Sequence, residues 1–289
     1  MRRRTFLQTS LAAVTLWPAR MVLADESAVG YRAARSLEGD EISLRTADIK
    51  DLAARMRGRV LVADQGDEYD RARRVWNAMF DRHPALIARC VTPLDVVHAV
   101  AFAREHRLLT AVRAGGHSVS GKSTCEGGMV IDVSLMQSVH VDPAARIARV
   151  DGGALLGHLD RATQALSLVT TAGTVSHTGA AGLTLGGGFG RVGRRYGLAC
   201  DNVRSIDIVT SDGRLLKASD DENADLFWAL RGGGGNFGVA TAFEYRLHPM
   251  NPSVLAGEIA WPIARARDVL EFYAEFSAQA PVELTLRAS

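Results

Sequence analysis

Three loops crowded with glycine constrain this chain of 289 residues more than any other feature: AVRAGGHSVSG at 111–121, TGAAGLTLGGGFGRVG at 178–193 and RGGGGNFG at 231–238. Glycine costs about 1 kcal/mol relative to alanine inside a regular element, so glycine massed at element junctions marks places where bare backbone is wanted. Each loop adjoins an apolar run. The first carries no acid and sets His117 between donor-rich neighbours, Gly115, Gly116, Ser118 and Ser120. Exposed backbone N–H groups suit an anion, and phosphate is the first expectation. Together the loops predict one extended ligand lying across several backbone edges.

The elements between the loops alternate. In VTPLDVVHAVAFAREHRL, Thr92 can cap a helix, Pro93 suits its first position and Asp95 its first turn, with Val96, Val97, Val100 and Ala101 as the apolar face. Strands are expected at Leu108 to Val112 and Met129 to Val133. Beyond them the pattern becomes a meander: a strand in RIARVDGG, a helix in LLGHLDRATQALSL, a hairpin turning at Asp212-Gly213, a short helix from Ala224 to Leu230, and a strand from Val239 to Leu247. A small α/β layer followed by an antiparallel meander predicts an α+β fold of two subdomains. Residues 25–75 are polar, rich in Arg and Asp, and show only weak periodicity.

The first 24 residues, with a basic start, an apolar stretch from Leu11 to Leu16 and small residues near Ala24, read as a signal peptide. Arg3-Arg4 in RRTFLQ resembles the twin-arginine motif, which implies the twin-arginine export machinery as a partner and a periplasmic or secreted protein. Arg2, Arg3, Arg4 and Arg20 are the only charges there, so the remaining residues carry a net charge of −2 although the whole chain is +2. That balance argues against a nucleic-acid surface, and no later apolar run reaches the length of a membrane span. Cys90, Cys125 and Cys200 have no metal-ligand spacing, so no metal site is expected; one disulfide stays open.

Gly188-Phe189-Gly190-Arg191-Val192-Gly193 fits G-x-G-x-x-G, with Asp212 at a ribose-binding distance along the chain, which raises a nicotinamide-binding Rossmann unit as an alternative. The context opposes it. The fingerprint should follow a buried strand, whereas the run before it is broken by glycine and Asp212 sits in a hairpin turn.

RAGGHSVSG, AGTVSHTGAAGLTLGGGFGRVGRRYGLACDNV and DLFWALRGGGGNFGVAT, at their spacing, resemble the PCMH-type FAD-linked oxidases, in the berberine-bridge-enzyme-like branch of the vanillyl-alcohol-oxidase superfamily. The resemblance covers about residues 75–250. With the signal peptide read at 1–24, it implies a lead-in at 25–78, a two-subdomain PCMH-type FAD-binding domain at 79–250, and the start of an incomplete substrate domain at 251–289. It also implies FAD as cofactor, covalently attached through His117. The first loop, Arg113, Ala114, Gly115, Gly116, His117 and Ser118 with Gly121, would wrap the pyrophosphate. Ala172, Gly173, Thr174 and Gly182 would bring backbone to the dinucleotide, Gly186 and Gly187 would pass near the ring system, and Val239 would approach its pyrimidine edge.

Doubly tethered members carry a cysteine where Val175 stands, so a single link is expected. His177 is open between a role facing the flavin and a structural one; His158, Asp201, Asn202 and Cys200 are expected to be structural. The implied activity is hydride transfer from a C–H of an alcohol, sugar or amine-like donor to flavin N5, with oxygen or another acceptor. Members of the family continue beyond this length, and their catalytic bases commonly come from that further part, so no base is assigned. A truncated, catalytically silent flavin-binding remnant is the alternative.

Overall fold

The computed structural model describes residues 30–63 and 66–289, so the export motif read at 1–24 lies outside the described residues. The first layer holds β1 (Tyr31–Arg35), β2 (Glu41–Arg45), α1 (Thr46–Arg55), β3 (Arg59–Val62), α2 (Gly66–Arg73), β4 (Leu86–Arg89), α3 (Pro93–Glu105), β5 (Thr110–Arg113) and β6 (Met129–Asp132). β1 and β2 form a hairpin of their own, and the four-stranded sheet runs β3-β4-β6-β5, with β6 parallel to both of its neighbours.

The second layer holds β7 (Val139–Asp142), β8 (Ile147–Asp151), α4 (Leu156–Gln164), β9 (Leu168–Val169), α5 (Ala180–Leu185), α6 (Gly193–Tyr196), β10 (Val203–Val209), β11 (Leu215–Ser219), α7 (Ala224–Leu230), β12 (Val239–Arg246) and β13 (His248–Pro249). Its five-stranded sheet, β11-β10-β12-β8-β7, is antiparallel throughout, as the meander predicts. Gly213, at φ +86°, supplies the left-handed residue that the hairpin turn needs. The G-x-G-x-x-G run follows α5 rather than a strand, which removes the Rossmann context.

α3 joins the layers. Thr92 Oγ1 accepts from Asp95 N (3.2 Å), while the Asp95 carboxylate accepts from Val91 N (2.9 Å), Thr92 N (3.0 Å) and Arg57 N (2.7 Å). Three donors at the entrance of α3 and one from the segment after α1 are thereby satisfied. The buried stripe is Val96, Ala99, Val100 and Ala103; the expected Val97 and Ala101 are only half-buried, because the face follows i, i+3, i+4, i+7 from Val96. These side chains share one core with Met129 and Ile131 of the first sheet and with Val209 and Val239 of the second. A separate core sits between the five-stranded sheet and helices α4, α5 and α7, where the Tyr245 hydroxyl meets Thr184 Oγ1 at 2.7 Å.

After residue 250, where the start of a substrate domain is expected, the chain forms one longer helix, α8 (Ala266–Gln279), and no strand among the described residues. The flanking segments have no neighbouring strand among the described residues, and an unpaired strand leaves its ladder groups without partners. Leu255 and Ile259 are exposed there, and Arg194 fastens the end of α8 by donating to Ser277 O and Ala280 O, both at 2.8 Å.

Candidate cofactor-binding site

The loop after β5 is held from outside so that its own backbone stays free. Arg113 Nη1 lies 3.2 Å from Asp132 Oδ2, which also faces Arg89 Nε at 3.4 Å, and the Asp132 side chain is fully buried. Arg113 therefore anchors the loop to β6. Trp76 N donates to Gly116 O (3.0 Å), Asn77 Nδ2 to Val119 O (2.9 Å), and Arg82 Nη1 to Gly121 O (3.0 Å) and Thr124 O (2.9 Å). Among the described residues, no hydrogen bond uses the N–H groups of Gly115, Gly116, His117 or Ser118. Gly116 needs its φ of +69°, and Gly121, at +70°, packs against the Phe80 ring.

The freed donors face a cleft of about 1030 Å³, at the upper end of the range for ligand sites. Its walls are the 114–118 loop, the first turn of α5 with Thr178 and Gly179, and the 234–238 segment. The first two walls cross closely: a Cβ on Gly115 would lie 2.3 Å from Gly179 N. Arg35, Arg82 and Lys122 also line the cleft, and Thr124 Oγ1 beside it is buried with no partner. Unused N–H donors, three cations against the one carboxylate of Glu126, and an orphaned hydroxyl fit a large anionic dinucleotide.

Of the residues nominated from sequence, Ala114, Gly115, Gly116, His117, Ser118 and Gly182 line the cleft. The others lie outside its lining for identifiable reasons. Arg113 is engaged with Asp132, Gly121 with Phe80, and Ala172 with Gly190, whose absent Cβ would fall 1.7 Å from Ala172 O. Gly173 fits between Leu156 and Leu183; Thr174 and Gly186 are exposed; Gly187 serves a turn at φ +103°. Val239 points into the core shared with α3, only 4 % exposed, while its neighbours Gly238 and Ala240 reach the cleft. Arg35, Arg82, Thr124 and Gly234 were not nominated. The RGGGGNFG loop was a legible signal for Gly234; the arginines carried none.

His117 lines the cleft beside a second histidine. Its Nε2 lies 2.7 Å from Nδ1 of His177, and the Trp76 ring stacks on it with centroids 5.1 Å apart. Burial, and then the neighbouring His177, lower its pKa below the ordinary imidazole value, which favours the neutral ring. His158 Nδ1 accepts from Leu155 N (3.3 Å) at the start of α4. Asp201 Oδ2 accepts from Leu198 N (2.8 Å), Asn202 Nδ2 donates to Leu198 O (2.8 Å), and Asn202 Oδ1 meets His248 Nε2 (2.7 Å). His158, Asp201 and Asn202 hold backbone, and His248 holds the Asn202 side chain. Cys90, Cys125 and Cys200 are free and buried. Among the described residues no group of three metal-ligating side chains occurs, and no helix is long and apolar enough to cross a membrane.

A two-layer fold whose glycine loops wall a donor-rich, dinucleotide-sized cleft defines a flavin-binding domain, and residues 84–219 match the family described as FAD binding domain. (R)-6-Hydroxynicotine oxidase of Paenarthrobacter nicotinovorans is 39% identical over 206 residues, which cover 71% of this chain and 45% of that protein. The crystal structure of 6-hydroxy-D-nicotine oxidase from Arthrobacter nicotinovorans superposes with a TM-score of 0.74 at 36% identity, over 78% of this chain and 50% of that one. The carbohydrate oxidase from Microdochium nivale gives a TM-score of 0.66 at 30% identity, over 70% and 43%. The chain belongs to the PCMH-type FAD-linked oxidases, in the berberine-bridge-enzyme-like branch, and its cofactor is FAD. It spans about half the length of the relatives it matches.

Proposed function

We propose that this chain is the flavin-binding part of an exported oxidoreductase that takes hydride from a C–H of an alcohol, sugar or amine-like donor. The observation that carries the reading is His117 on the wall of a cleft whose loop keeps, among the described residues, four N–H groups unused. Bound FAD supplies the hydride-accepting N5 and passes electrons to oxygen or another acceptor. The chain's own residues bind and orient it. The N–H groups of Gly115 to Ser118 and the cations Arg35, Arg82 and Lys122 offset the pyrophosphate charge, and His117 forms a single covalent tether. Val175, exposed and without a thiol, offers no second one. Relatives named for a hydroxynicotine and for a carbohydrate put cyclic amines and sugars first among donors to test.

In acid-precipitated protein from the full-length gene, the flavin is expected to stay in the pellet, because a histidyl bond survives unfolding. A panel of cyclic amines, sugars and primary alcohols should then bleach the flavin absorbance of the native protein with at least one donor. Flavin washing wholly into the supernatant removes the tether, and no bleaching by any member of the panel removes the donor classes. For export, replacing both Arg3 and Arg4 by lysine should leave the protein in the cytoplasm, since the receptor reads paired guanidinium groups. An unchanged periplasmic yield would exclude the twin-arginine route.

A further inference from the structure

The close crossing of Gly115 and Gly179 sets two histidines from distant parts of the chain side by side. His117 Nε2 and His177 Nδ1 are 2.7 Å apart, with ring centroids at 4.7 Å. Trp76, fixed by its own N–H to Gly116 O at 3.0 Å, stacks on the His117 ring at an interplanar angle of 17°. His117 is thus held on an edge and on a face. His177 is exposed, and its ring makes no other hydrogen bond among the described residues. A contact this short between two imidazoles shares one proton, and the arrangement of that proton decides which nitrogen of His117 keeps a lone pair.

We propose that His177 is the positioning residue for covalent attachment of the flavin: it accepts the Nε2–H of His117, which leaves Nδ1 unprotonated and nucleophilic, and it takes that proton as the bond forms. The inference rests on the reading that His117 carries the tether. The step forms a bond between His117 Nδ1 and the 8α-carbon of the isoalloxazine. One C–H bond of the methyl group and one N–H bond of His117 are broken. The N–H proton goes to His177 Nδ1 and from its exposed ring to water; the C–H proton goes to solvent. Two electrons remain on the ring system, and dioxygen takes them with two protons as hydrogen peroxide. The neutral form that burial favours in His117 agrees with a nucleophilic ring.

The test uses the full-length protein, produced in riboflavin-starved cells as wild type, His177→Leu, His177→Asn and His117→Ala. FAD is added, and acid-stable flavin is followed in time beside total bound flavin. His177→Leu should bind the same total flavin but form the acid-stable species about a hundredfold more slowly, the scale of a lost general base. His177→Asn, whose Oδ1 can accept from Nε2 at the place of the lost Nδ1, should recover part of that rate, and added imidazole should speed the leucine variant. His117→Ala should form none. A leucine variant that acquires its tether at the wild-type rate overturns the proposal. So do leucine and asparagine variants that both lose total flavin, which would mark a structural role. A wild type with no acid-stable flavin removes the tether itself, whereas a tethered wild type with an indifferent His177 removes only the proposal.

Discussion

Gly115→Ala is expected to strip flavin from the purified protein while leaving most of the fold in place. The added Cβ would stand 2.3 Å from Gly179 N and 2.6 Å from Gly179 Cα, and both are backbone atoms that cannot swing aside. Reaching ordinary contact requires the two walls to separate by about 1 Å, a displacement large enough to cost about a hundredfold at a preorganised site. Flavin retained after gel filtration should fall at least about tenfold on the same grounds. Gly193→Ala is the control, since a Cβ there meets nothing within 4 Å. A Gly115→Ala protein with full flavin content and an unchanged melting temperature would contradict the crossing.

The largest loss of stability is expected at Asp95. Its carboxylate is 1 % exposed and accepts from Arg57 N, Val91 N and Thr92 N. Alanine leaves three part-buried backbone donors unsatisfied, two at the entrance of α3 and one after α1, about 3 kcal/mol at roughly 1 kcal/mol for each. For a chain of this size that lowers Tm by about 6 to 12 °C. Asparagine keeps one acceptor oxygen and should show about half the loss. Thermal unfolding followed by circular dichroism decides it: an alanine variant within about 2 °C of wild type would mean that water replaces the carboxylate.

The same residues show why some of this fold was legible in the sequence. Thr92, Pro93 and Asp95 signal α3 by local chemistry alone, and Ala224 to Leu230 forms the predicted helix residue for residue. β1 gave no such signal because it buries a single residue, Ala34; β2 does alternate, with Ile42 and Leu44 inward between Glu41, Ser43 and Arg45, but over only five residues of a polar segment. α2 buries only Tyr69 and Ala72 on an otherwise charged helix. In the site, the glycine loops announced a ligand through composition. Arg35 and Arg82 reach the cleft only through tertiary packing, and the contact between His117 and His177 spans 60 residues that no spacing rule connects. At β12 the phase was not legible: successive strand residues face opposite ways, so Val239 turns its side chain to the core while Gly238 and Ala240 line the cleft.

The membership of α3 in a core that reaches both sheets bears on how a cofactor gets in. Jaws need a joint, and here the place where a joint would be is filled by Val96, Ala99, Val100 and Ala103, packed at once against Met129 and Ile131 on one side and Val209 and Val239 on the other. Spreading the two layers would expose that packing to water, so gaping and melting become a single event rather than two. Traffic into the cleft must therefore pass along its open mouth, past the 114–118 loop and the 234–238 segment, with the floor standing still.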